Sequence, residues 1–221
     1  MFFAALKRDY QRVLRQKSAV VNSVAFFALI VICYPLAVGV DKALLKSLVP
    51  VALWVSALLC LLLNTHQLFE EDYENGIIDQ LIVGQASLFW YVLAKGVVFW
   101  SLTGLVLAIL SPVLGGMLNL PLHAAPVTIA VLAIGSFGAV MINLLAASLT
   151  IALRNNSILL SLISLPLFSP VLIFGAGAIR NAIDGISVSV PFTFLGAITL
   201  MAVAICPIAS AFILRMSRDL A

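Results

Sequence analysis

"FEEDYENGIIDQLIVG", residues 69–84, holds five of the chain's nine acidic residues within eleven positions, 69–79. Everything around it is apolar: across 221 residues, 63% are hydrophobic and 10% charged. A soluble domain carries roughly a quarter of its residues as charges, so this chain cannot cover a core with polar surface. Apolar runs near the ~20 residues that cross a hydrocarbon layer of about 30 Å recur along its length. The acidic stretch therefore reads as a polar excursion between two membrane spans.

Working outward from it, six spans emerge, near 18–40, 50–64, 87–114, 126–153, 158–178 and 191–214. Pro50 suits the first turn of the second, where its missing N–H costs nothing. The polar start and first apolar run are both long for a cleaved signal peptide, so 18–40 is kept as a span. Lys and Arg concentrate in cytoplasmic loops. With the N-terminus inside, Lys7, Arg8, Arg12, Arg15, Lys17, Lys95, Arg154, Arg215 and Arg218 fall on the inner side, and Lys42, Lys46 and Arg180 outside. Both termini and the acidic stretch are then cytoplasmic. The expected fold is an all-α integral membrane protein, one transmembrane domain over 1–221, with six transmembrane helices.

Residues 1–17 have two readings. Phe2, Phe3, Leu6, Tyr10, Val13 and Leu14 share a helical face opposite basic residues, which suits an interfacial amphipathic helix. They also fit a simple topology-setting basic segment.

Several chemistries find no support. Intramembrane ionisable groups mark ion or proton pathways. Here only Lys95 lies within a span, near enough to the inner end to snorkel. No HExxH or GxSxG motif is present, so no catalytic residues are assigned, and the chain is not read as an enzyme. Cys33, Cys60 and Cys206 lie in apolar runs and read as packing residues, with no metal site. A net charge of +3 suits membrane topology better than nucleic acid. His66 and His123 are the only histidines and the candidate ligands for haem, though neither pairs at ligand spacing.

Ser136, Gly138, Asn143, Ser148 and Thr150 suit close helix packing, or else line a path. Pro166 and Pro170 should bend or locally break the fifth span, as a static kink or a hinge. Within the arm, 65–86, Asn75–Gly76 ends one helix. Ile77, Ile78, Leu81 and Ile82 then share one face of a short helix, with Asp79 in its first turn. Glu70, Glu71, Asp72 and Glu74 keep the arm in water. The residues leave two readings open: a solvated loop, or a docking helix whose apolar face meets a soluble partner while its acids set orientation. The spacing of a calcium loop is missing.

"YENGIIDQL" between spans two and three, in a six-span chain with a basic amphipathic start, resembles the type-2 ABC export permeases. Glu74, Gly76 and Leu81 match the loose pattern of their coupling element. "ALWVSALLCLLLNTHQLFEEDYENGIIDQL", "LAKGVVFWSLTGLVLAILSPV", "LPLFSPVLIFGAGA" and "FFALIVICYPLAVGV" carry a closer resemblance. They are similar to the haem exporter protein B family of cytochrome c maturation. That resemblance implies a bacterial inner-membrane permease, dimeric, working with a separate ABC ATPase subunit, a haem-handling membrane partner and a small third membrane component. It implies haem as the possible substrate, delivered to a periplasmic haem chaperone, and an arm from Glu70 to Ile82 coupled to the ATPase. No GxxxxGK[ST] occurs, so ATP would be held by the partner ATPase. The competing readings are a type-2 permease for a lipid-linked or hydrophobic compound, an autonomous channel, and an assembly scaffold.

Overall fold

A computed structural model of the chain describes residues 17–39, 41–63, 67–84, 87–152 and 158–219. Apart from Lys17, the segment expected as an interfacial helix lies outside the described residues. Among the described residues, six helices, one of them jointed, are long and apolar enough to cross a membrane. The first two are α1 (Lys17–Val38) and α2 (Lys42–Leu63), 22 residues each. At 1.5 Å per residue each reaches about 33 Å, enough for one crossing. The third span is α5 (Leu88–Phe99), a π-helical turn (Trp100–Gly104) and α6 (Leu105–Met117). The last three are α7 (Ala125–Ala152), α8 (Ile158–Ile183) and α9 (Ser189–Asp219). Between the second and third spans stand two short helices, α3 (Gln67–Glu74) and α4 (Ile77–Val83).

Two local expectations are corrected. The second span does not begin at Pro50, which lies inside α2. The helix starts earlier because Asp41 caps it: its Oδ1 accepts from the amides of Ala43 and Leu44 at 3.0 and 3.2 Å. Of the bend or local break expected in the fifth span, the break is absent, since α8 runs as one helix through Pro166 and Pro170. Each proline deletes a single donor. In lipid, the remaining backbone groups have no alternative to their own helical partners.

The core is built around α7, which packs against α9, α8, α6, α5 and α2. Small residues make those approaches possible. The ring of Trp54, fully buried on α2, lies against Gly135 of α7 and Gly175 of α8. A Cβ at Gly135 would stand 3.2 Å from Leu195, and one at Gly138 would stand 2.9 Å from the Thr199 hydroxyl. These pairs advance together, so α7 and α9 run parallel, and Thr199 donates to the Ile134 carbonyl at 3.3 Å. Ser148 and Thr150 return their hydroxyls to carbonyls of their own helix. Packing is thus what most of the small and polar residues of α7 do. Asn143 differs: it is buried, and its amide meets no hydrogen-bond partner among the described residues.

The π-helical turn interrupts the regular ladder of the third span, as such turns do where a helix is locally rewound. Trp100, its first residue, donates its indole N–H towards the Ala133 carbonyl at 3.0 Å and the Ser136 hydroxyl at 3.1 Å, both on α7.

Candidate functional site

The polar arm is the place where chemistry collects. Three described residues of α3, Leu68, Phe69 and Asp72, are buried, and they share one helical face at i, i+1 and i+4. α3 rests on α7 through this region. The Asp72 carboxylate is fully buried and accepts hydrogen bonds from the Lys95 ammonium and the Tyr91 hydroxyl, both on α5. Lys95 and Tyr91 lie one helical turn apart, and Lys95 also donates to the Tyr91 hydroxyl at 3.3 Å. The ammonium stands 5.4 Å from the centroids of the Phe69 and Tyr91 rings, so aromatic faces flank the cation.

This arrangement corrects two expectations. Asp72 does not keep the arm in water, and Lys95 does not snorkel to the membrane surface. Each finds its countercharge in the other. A buried carboxylate or ammonium alone is costly enough that pairing is the rule. The cluster is built to hold a position: the carboxylate's charge is matched, and the hydroxyl and aromatic rings complete its surroundings.

After α3 the chain turns at Gly76, whose φ of 66° is left-handed, and its amide donates to the Tyr73 carbonyl at 3.0 Å. The expected helix break at Asn75–Gly76 is therefore present, and α4 follows with Asp79 in its first turn. The apolar face of α4 is divided: Ile78 is 2% exposed, whereas Leu81 and Ile82 pack against the core while remaining half-buried. α4 reaches α9 on its inner side. The residues left on the outer edge are Tyr73, Asn75, Asp79, Gln80 and Val83, with Ile77 and Gly76 half-buried. Glu70, Glu71 and Glu74 belong to α3, but their side chains are not among those described.

His123 does not join this cluster. His123 is exposed in a 3-10 turn, Leu122–Ala124, beyond the far end of the third span. His66 lies outside the described residues. No group of three His, Cys, Asp or Glu suited to a metal ion occurs among the described residues. Cys60 and Cys206 are buried, Cys33 is exposed, and no disulfide joins them. A shallow apolar cavity of about 370 Å³ opens between the starts of α7 and α9, lined by Pro126, Val127, Ala130, Val188, Ser189 and Phe192. Sequence reasoning missed Tyr91 entirely. It also missed the role of Lys95, although an isolated lysine within a span was itself the signal.

Fold and site together define a class: a six-span, all-helical membrane protein in which a buried polar cluster ties a short two-helix arm to the third span. The chain belongs to the CcmB protein family, whose sequence profile matches residues 1–217. Its relatives include heme exporter protein B of Pseudomonas aeruginosa, 35% identical over 217 residues, 98% of this chain and 97% of that protein. Heme exporter protein B of Paracoccus denitrificans is 37% identical over 214 residues, 97% and 98% of the two chains. The Escherichia coli protein of the same name is 31% identical over 222 residues, covering 98% and 99%.

Proposed function

We propose that this chain is the membrane permease component of an ABC-type complex that exports haem for the biogenesis of c-type cytochromes. The observation that carries this reading is the end-to-end match to proteins named heme exporter protein B. The chain works as a dimer in the bacterial inner membrane, with both termini in the cytoplasm. ATP is held and hydrolysed by a separate ATPase subunit. A haem-handling membrane protein and a small third membrane component complete the assembly, which hands haem to a periplasmic chaperone.

The arm is the element that meets the ATPase. Two features support this: it is the polar interruption between two spans, and it is folded as two short helices with a defined outer edge. Contact is made by Tyr73, Asn75, Asp79, Gln80 and Val83. ATP binding favours one arrangement of the arm and so of the bundle, by the difference in affinity for the two states.

Purification of the tagged protein from its native membrane in mild detergent tests the reading. An ABC ATPase subunit is expected to accompany it in near-equal amount. Recovery of the membrane components without any ATPase subunit overturns the proposal.

A further inference from the structure

We infer that Asp72, Lys95 and Tyr91 form the rigid joint through which a displacement of the arm reaches the third span, a reading that rests on the ATPase-coupling role proposed above. α3 is also held by apolar contact. Leu68 and Phe69 are apolar and buried, and apolar contact is non-directional, so surfaces of this kind slide at little cost. Charge-assisted hydrogen bonds are directional and about twice as strong as neutral ones, and they strengthen further where water is excluded. Asp72 makes such bonds to two residues one turn apart on α5. Both donors converge on one oxygen, Asp72 Oδ2, so α3 is pinned at a single atom whose place on α5 is set by two side chains. Force applied to α3 is therefore delivered to α5 at one defined place.

What lies beyond that place is the second observation. Five residues after Lys95, about 7.5 Å along the helix, the third span leaves α-helical geometry for the π-helical turn Trp100–Gly104. A helix can rewind at such a turn without losing its ladder as a whole. The turn is fastened to α7 by the Trp100 indole and by the close approach of Gly104 to Ser136. The joint thus enters the third span immediately before the point where it is irregular and tied to the central helix. Asp72, Lys95 and Tyr91 are positioning residues in this scheme, and none touches cargo or nucleotide.

The test uses the whole complex in native membranes and three variants of this chain. The double variant Asp72→Asn/Lys95→Gln keeps a neutral pair and leaves no lone charge buried. Asp72→Lys/Lys95→Asp reverses the pair, and Tyr91→Phe removes one hydroxyl. Three readouts are taken: accumulated protein, ATPase subunit recovered per permease, and c-type cytochrome matured per ATP hydrolysed. The neutral pair is expected to leave the first two near the parent and to lower the third roughly tenfold, within the usual range of coupling between sites. Reversal should restore most of that loss, and Tyr91→Phe should lower maturation per ATP by about twofold to threefold.

A neutral pair with unchanged maturation per ATP overturns the joint. So does a loss of maturation that tracks the amount of assembled protein alone, because a purely structural pair behaves that way. If the neutral pair fails to accumulate, Tyr91→Phe decides: unchanged maturation per ATP in normally assembled protein overturns the inference. Absence of any ATPase subunit from the parent complex instead overturns the coupling reading on which the inference stands, and is seen before any variant is made.

Discussion

The indole of Trp54 occupies the space a side chain would need at Gly175: a Cβ there would lie 2.3 Å from the ring. A Cβ at Gly135 on α7 would lie 2.2 Å from the same ring. Three spans therefore meet at one aromatic ring, and two glycines make the room.

Gly175→Ala is expected to lower the stability of the bundle by about 1–3 kcal/mol, the cost of overpacking a well-filled core. Trp54→Phe in the same chain should recover at least half of that, because the smaller ring vacates the contested space. Thermal unfolding in detergent checks both. Equal melting of Gly175→Ala and the parent would show that the ring can move aside.

Removing one member of the buried ion pair strands the other. Asp72→Ala or Lys95→Ala should each cost about 3–5 kcal/mol and reduce accumulation in the membrane. A double change to apolar residues of similar volume, Asp72→Leu/Lys95→Met, should return stability to near the parent value. Denaturation of the two single variants and the double variant measures the difference. Additive losses would mean the charges do not depend on each other.

On the arm, inner and outer faces should separate two properties. Ile78→Asp buries a carboxylate against the core and should destabilise the protein, with the ATPase subunit lost only in proportion. Gln80→Lys with Val83→Asp changes exposed positions. It should leave melting unchanged while lowering recovery of the ATPase subunit roughly tenfold, the equivalent of about 1.4 kcal/mol of binding. Full recovery with the outer variant would move the docking surface elsewhere.

Asn143 carries two buried amide atoms that meet no partner among the described residues. If it serves packing alone, Asn143→Leu removes a desolvated polar group and should be neutral or stabilising. Cytochrome maturation should stay at the parent level. A stable variant with reduced maturation would instead mark Asn143 as part of the haem path.

The spans are legible in the sequence because length and apolar composition are properties of each segment alone. Gly76 is legible for a similar reason: an Asn-Gly pair between two helical patterns has few other uses. The start of α2 is easily misplaced because a proline at a helix start is a strong local rule, and the Asp41 cap upstream competes with it and wins. The buried state of Asp72 cannot be read locally at all. Among neighbouring acids it looks like one more solvated charge, and its partner is 23 residues away on another helix. The apolar stripe of α4 is plain in the sequence, but periodicity shows that a face needs covering and not what covers it. Here the chain's own core takes up Ile78 fully and Leu81 and Ile82 in part.

The spacing of Asp72 and Lys95 also imposes an order on biogenesis. The ribosome delivers Lys95 23 residues after Asp72, about 1–5 seconds later at ordinary rates of synthesis. Until then the carboxylate has no Lys95 to meet, and water is the medium that can hold it. The contact that fastens the arm to the third span can therefore form only after the start of that span has been synthesised.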